Sequence, residues 1–334
     1  MNIEVILNPG ELTEKSLRGK TVVVFDALRA TSTIVTALAN GCRAVIPAEE
    51  IDEAKEIARA LKEGRYPGEA GFLTRPGSRP AFPRQTNPDC RQTAGPPETA
   101  SLAANLPPEN ILLGGERGGE RVPGFPHGNS PLEYTPEAVT GKVLVLTTTN
   151  GTRAIRRAAR EAFALYAGSL LNARAVAREL QRRKTGVALV CAGTNGDFSL
   201  EDALAAGMVI KETLQFVRKQ NEKSKSEKYP EQEQALLSGR AAPGESKPME
   251  FPAPVNLSDA ATAVYRLALW YGNNPAGALR DSRHGQKLLR LGLAADLEYC
   301  SRLNLFDLVP VYQEGSSENK IKKANLDCCK IRSR

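Results

Sequence analysis

Short apolar runs alternate with amphipathic stretches along most of the chain. The segment 1–9, with Ile3, Val5, Ile6 and Leu7, reads as a first strand. Thr21-Val-Val-Val-Phe25 is a continuous apolar run, which predicts a strand buried on both faces, and 33–40 predicts the helix after it. The same rhythm predicts strands over 44–47, 110–113, 142–147, 162–166 and 186–191, and helices over 51–62, 155–161, 173–183 and 200–217. After Leu257 the pattern turns helical, over 257–271, 275–280 and 285–291, before a last strand over 308–312. Continuous apolar strands separated by helices predict an α/β fold. It is a three-layer sandwich with a mostly parallel or mixed sheet and a helical segment near the C-terminus.

Two segments break the rhythm. Residues 66–108 are rich in Pro, Gly, Arg and Thr, and residues 218–254 in Lys, Glu, Gln, Ser and Pro. Neither can bury much apolar surface, so both read as mobile insertions. The strand–helix rhythm resumes after each, which makes 1–315 one α/β domain and leaves 316–334 as a disordered basic tail. Thr-Asn-Gly recurs just past a buried strand at 149–151 and at 194–196. The echo reads either as two similar halves of that domain or as two similar turns.

Composition narrows the class. With 334 residues, 41% hydrophobic and 25% charged, the chain is an ordinary globular protein. It has no apolar run of bilayer length, and its first residues lack a basic leader, so the expectation is a cytoplasmic protein without membrane association. The net charge of +7 suggests nucleic acid at first sight, but the tail holds six basic against two acidic residues and so carries four of those seven charges. The rest is nearly balanced, which argues against a nucleic-acid surface. Six cysteines form no Cys-x-x-Cys pair and no Cys/His cluster, so no structural zinc is expected. A homo-oligomer remains compatible with all of this.

Four polar turns fall at the carboxyl ends of predicted strands, where open α/β sheets bind ligands. In the first, Asp26 ends a strand and Arg29-Ala-Thr-Ser-Thr33 opens a helix. The hydroxyls of Thr31, Ser32 and Thr33 can cap that helix or join its free N–H groups in holding an oxyanion. Arg29 suits a bidentate contact to phosphate or sulfonate, and Asp26 suits either a divalent cation or Arg29. In the second, Gly114-Gly-Glu-Arg-Gly-Gly119 puts Glu116 and Arg117 among glycines that let backbone amides approach an anion. The third and fourth are the Thr-Asn-Gly turns. After the latter, Ser199 reads as a helix cap with Asp202 at the capping-box position, or Glu201 and Asp202 reach a metal. His284, one of two histidines, opens a helical pattern, as a cap or as a proton donor beside an anion.

Several phosphate-handling signatures are missing. There is no Gly-x-x-x-x-Gly-Lys-Ser/Thr loop and no Gly-x-Gly-x-x-Gly. Cys191 has Asp197, not Arg, six residues on; Asp26 has Leu28, not a second acid, two residues on. Metal-assisted attack by water is the chemistry left.

Taken together, Val24-Phe-Asp-Ala-Leu-Arg-Ala-Thr-Ser-Thr33, Leu113-Gly-Gly-Glu-Arg-Gly-Gly119, Gly128-Asn-Ser-Pro-Leu-Glu133, Leu146-Thr-Thr-Thr-Asn-Gly-Thr-Arg-Ala154, Val190-Cys-Ala-Gly-Thr-Asn-Gly196, Phe198-Ser-Leu-Glu-Asp202 and His284-Gly285 resemble the 2-phosphosulfolactate phosphatase family. The resemblance spans 1–64, 110–217 and 257–312; Ala27, Pro126-His127 and Arg283 depart from the family's pattern. It implies an α/β fold of atypical topology and a Mg²⁺-dependent acid phosphatase. The substrate would be a small anionic phosphorylated acid, 2-phosphosulfolactate, converted to 3-sulfolactate on the way to coenzyme M. On this reading Asp26, Arg29, Arg117 and His284 are catalytic, and Asp26, Glu116 and Asp202 hold the metal. Thr31, Ser32, Thr33, Asn129, Thr149, Asn150, Thr152, Asn195 and Ser199 bind substrate. The alternatives are a phosphatase for another small phosphorylated acid and a non-catalytic binder of small anions.

Overall fold

In the computed structural model, which describes residues 1–65, 71–75, 106–183, 185–228 and 255–313, the apolar runs form the strands they predict. The strands are β1 (Asn2–Ile6), β2 (Thr21–Phe25), β3 (Ala44–Ala48), β4 (Phe72–Thr74), β5 (Ile111–Arg117), β6 (Glu120–Arg121), β7 (Val143–Thr147), β8 (Ala164–Gly168), β9 (Val187–Cys191), β10 (Asn256–Leu257) and β11 (Val311–Gln313). The helices are α1 (Glu14–Leu17), α2 (Ala30–Ala39), α3 (Ile51–Lys62), α4 (Pro136–Val139), α5 (Gly151–Ala159), α6 (Ala173–Gln181), α7 (Leu200–Lys228), α8 (Asp259–Tyr271), α9 (Pro275–Asp281), α10 (Arg283–Arg290) and α11 (Ala294–Cys300).

One mixed sheet runs in the order β10-β1-β9-β2-β8-β11-β4-β3-β7-β5-β6. Two blocks are parallel, β10-β1-β9-β2-β8 and β3-β7-β5. Between them β11 pairs antiparallel with β8 and with β4, and β4 pairs antiparallel with β3. Three successive reversals make the two blocks run in opposite directions, an atypical topology for an α/β sandwich.

Side-chain alternation sorts the helices. Val22 and Val24 of β2 share a core with Leu144 and Leu146 of β7, Ile34 and Leu38 of α2, and Ile155 and Ala158 of α5. Helices α2 and α5 are therefore packed against both blocks. Val23 and Phe25 face the other way, toward Val176, Leu180, Leu204 and Ile210 of α6 and α7 and the C-terminal helices. Ile46, Val143 and Val145 are covered by Ile57 and Leu61 of α3. Helix α3 coincides with its prediction because its ends are locally encoded: Glu50 and Glu53 close a capping box at its start.

Six elements were not legible, among them α1 and α4, each a four-residue helix too short to show a periodicity. Strand β4 lies inside the 66–108 segment and is too short for any periodicity to show, and β6 and β10 are two residues each. Helix α11 carries only Leu297 and Cys300 as large buried apolar groups beside a buried Asp296. Helix α7 runs on to Lys228, past the predicted end at 217, because Lys, Glu and Gln are good helix formers. The remainder of the two predicted insertions and the basic tail lie outside the described residues. Among the described residues no helix is long and apolar enough to cross a membrane.

The glycine-rich stretch after residue 113 is strand, not loop, as far as Arg117. A Cβ on Gly114 would stand 2.1 Å from Tyr134 Oη, and one on Gly115 2.2 Å from Thr147 O. These two glycines let neighbouring groups pack against β5. Gly118 and Gly119, at φ +65° and +97°, then make the two-residue hairpin turn into β6. Gly115→Ala is expected to destabilise the protein by about 1–3 kcal/mol or more, since backbone must move to admit the methyl. An unchanged urea midpoint for this variant would contradict the packing described.

Candidate active site

The four turns meet. Asp26 and Arg29 follow β2, Glu116 and the Gly118–Gly119 turn end β5, Thr149 and Asn150 follow β7, and Asn195 follows β9; with Asn129 and His284 they line one cleft. Leu28, Thr194 and Lys287 complete its wall. Helices α2 and α5 begin at this cleft and α10 supplies His284 from its first turn, so helix N-termini point their partial positive charge at it. Gly151 explains how α5 comes so near: a Cβ there would lie 2.6 Å from Asp26 Oδ2.

The acids have distinct surroundings. Asp26 is only 7% exposed, and its Oδ1 accepts the N–H of Ala30 at 3.1 Å. Burial pushes its carboxyl up to about 7, with Glu116 and Glu201 adding to the rise, while the Ala30 bond and Arg29 oppose it. Glu116 Oε1 accepts from Thr149 N and its Oε2 from Gly119 N, both at 2.7 Å, which ties the β5 turn to the β7 turn. Asp202 stands behind the cleft wall. Its two oxygens accept Ala27 N at 2.7 Å and Gly193 N at 3.1 Å, clamping the β2 and β9 turns together. Burial, then Asp26 and Glu201, hold that carboxyl well above the ordinary range. Ser199 Oγ accepts Asp202 N at 3.3 Å, so the predicted cap is made, but the Asp202 side chain serves other loops. Among the described residues no three His, Cys, Asp or Glu side chains group as a metal site. Of the three predicted metal ligands, Asp26 and Glu116 share the cleft and Asp202 does not line it.

Arg29 is buried and largely engaged. Nη1 donates to Asp296 Oδ2 and Nη2 to Gly119 O, each at 2.6 Å. Only Nε lacks a partner among the described residues, as does Asn129 Oδ1 on the same cleft. Asp296 also accepts from Ser130 Oγ at 2.5 Å, so it joins the β2 turn to the loop bearing Asn129. His284 is held at about 4 by burial and by the Arg29 charge, which makes its ring neutral at neutral pH. Lys287 is the cleft's other cation. Sequence reading missed it, although it sits one turn beyond His284, on the same helix face. Asp296 was missed with its helix.

Several predicted residues brace the site from outside the cleft. Thr31 Oγ1 donates to Asp26 O at 2.9 Å, Ser32 Oγ to Ala27 O and Thr33 Oγ1 to Asn129 O, both at 2.8 Å. Thr152 Oγ1 accepts Thr148 N at 3.1 Å. Arg117 turns away to Glu116 O, Glu49 O and Thr147 Oγ1. The two Thr-Asn-Gly turns touch, with Asn195 N donating to Asn150 Oδ1 at 3.2 Å, yet they differ in shape. The first opens α5; the second, with Asn195 at φ +54° and Gly196 at +86°, closes a tight turn between Thr194 and Asp197.

An acid pair facing an arginine edge and a lysine, at strand ends and helix starts, defines an α/β enzyme built for a small oxyanion. Comparison with known proteins specifies which. The profile of the 2-phosphosulpholactate phosphatase family matches residues 6–74 and 93–315. The chain belongs to this family of phosphoric monoester hydrolases. It is 36% identical to a Symbiobacterium thermophilum protein over 90% of this chain and 94% of that one. It is 36% identical to one from Carboxydothermus hydrogenoformans over 93% and 92% of the two chains, and 31% identical to one from Clostridium tetani over 94% and 99%. All three are named "Probable 2-phosphosulfolactate phosphatase".

Proposed function

We propose that the chain hydrolyses 2-phosphosulfolactate to 3-sulfolactate and phosphate with Mg²⁺, a step toward coenzyme M. The observation that carries this is the placing of Asp26 and Glu116 in one cleft with Arg29 and Lys287. The Arg29 charge is already met by Asp296, so a phosphate dianion entering the cleft faces two carboxylates and, among the described residues, one lysine without an ion pair. A divalent cation held by these acids would reconcile those charges, and Mg²⁺ is commonly held by one or two carboxylates with water and phosphate. Asp26 and Glu116 fit that role, since the Glu116 charge raises the cost of ionising Asp26 and a cation would relieve it. When bound, the ion polarises the phosphate and lowers the pKa of water.

The chain's own groups do the rest. Lys287 and the free Nε edge of Arg29 meet phosphate oxygens as the P–O bond to the carbon skeleton breaks. His284, its imidazolium favoured by the bound dianion, gives a proton to the departing alkoxide; the attacking water, on the opposite side of phosphorus, loses its own to solvent, so the ring regains one between turnovers. Asp296 and Gly119 O keep Arg29 from rotating, and Asp202 keeps the loops that carry Asp26 and Asn195 in register.

Phosphate release from 2-phosphosulfolactate should stop with EDTA and return with Mg²⁺. Metal-independent release, or none, sinks the proposal; tight binding without turnover would leave an anion binder. Inorganic phosphate should also raise the His284 pKa from about 4 toward the ordinary histidine range, because an anion favours the imidazolium. Its ring signals in an NMR titration report this, and an unmoved titration removes His284 from the phosphate's side.

A further inference from the structure

Beside the cleft lies a more open chamber of about 370 Å³. Thr149, Asn150 and Asn195 wall both spaces, so the two adjoin. We propose that this chamber binds the second anionic group, a carboxylate or sulfonate, of a short phosphorylated acid, and that Arg153 sets the preference for esters that carry one. The inference rests on the phosphatase reading above.

Charge distinguishes the two spaces. The cleft holds two carboxylates, whereas the chamber is lined by Arg153 and Arg157 and, among the described residues, by no acid. The two arginines are four residues apart on α5 and so present one face of it. The Arg157 guanidinium donates to Pro9 O at 3.0 Å and Leu12 O at 2.7 Å. Both acceptors are neutral, so the group is fixed in place with its positive charge uncancelled among the described residues. Arg153 is half exposed and among the described residues pairs only with Glu50, at 2.6 Å, which is itself 62% exposed. Surface pairs of this kind are weak, so an incoming anion can take Glu50's place. Arg153 also belongs to the Thr-Asn-Gly-Thr-Arg-Ala segment, whose other polar members either line the cleft or brace its turns. A short acid with its phosphate at Asp26 and Glu116 would set its remaining charge against these guanidiniums, past the Asn150–Asn195 contact.

The test compares kcat/KM of the full chain with Mg²⁺ on 2-phosphosulfolactate, 2-phospholactate and isopropyl phosphate, which has no second anion. Arg153→Ala should lower the ratio of 2-phosphosulfolactate to isopropyl phosphate at least about tenfold, mainly through KM, and Arg153→Lys should restore part of it. A parallel fall in the 2-phospholactate ratio assigns the chamber to the carboxylate; a fall confined to 2-phosphosulfolactate assigns it to the sulfonate. A ratio unchanged within about twofold overturns the proposal. If the unmodified chain hydrolyses no ester, the phosphatase reading fails on its own. Calorimetric binding of 3-sulfolactate then decides: affinity at least about tenfold weaker in Arg153→Ala supports the chamber, and equal affinity overturns it.

Discussion

Asp26→Asn should lower kcat by a factor on the order of 10³ while making the apoprotein more stable at pH 8. The amide keeps the side chain's size and its acceptor for Ala30 N, so the turn survives. What it removes is a negative charge in a buried place beside Glu116 and Glu201. In the unfolded chain this carboxyl ionises near 3.8, and in the fold near 7. Below the lower value it is protonated in both states and costs nothing. As pH rises toward 7 the unfolded chain ionises first, so folding loses stability, and above 7 the full penalty is present. The gap between variant and parent should therefore be absent near pH 4 and open to no more than about 4 kcal/mol at pH 8. Mg²⁺ should narrow it. Urea unfolding at both pH values, with EDTA or Mg²⁺, reads this directly. A variant that is inactive and equally stable at pH 8 would show that Asp26 is not strained in the fold.

The second large effect is structural. Asp296→Ala leaves the Arg29 guanidinium buried with only Gly119 O and orphans Ser130 Oγ. Breaking a buried ion pair from one side costs about 3–5 kcal/mol, because the remaining charge stays out of water. Phosphatase activity should fall with it, since Arg29 then has no fixed orientation in the cleft. Arg29→Lys should not substitute, as an ammonium cannot reach Asp296, Gly119 O and the cleft together. A double replacement, Arg29→Met with Asp296→Leu, should recover much of the stability and none of the activity. Chemical denaturation of the three variants separates these outcomes. A loss below about 1 kcal/mol for Asp296→Ala would mean the pair is solvated in solution.

Adjacent residues were enough to determine a good deal of this protein. The runs at β2, β3, β7 and β9 are apolar throughout because both faces are buried, and that reads from neighbours alone. Helix α3 is delimited by its own caps. The polar turns at the ends of β2, β5, β7 and β9 marked Asp26, Glu116, Asn150 and Asn195 as ligand-binding candidates and pointed to the family. What each side chain does there was decided only by the tertiary structure. Arg29 reads as a phosphate fork until Asp296, 267 positions later, takes one arm of it. Thr31, Ser32 and Thr33 read as anion donors until the fold offers each a carbonyl. Gly114 and Gly115 read as a loop until Tyr134 and Thr147 close over them. Periodicity and capping are written in consecutive residues, whereas burial, hydrogen-bond partners and the ionisation of Asp26 depend on what distant segments bring to the same place.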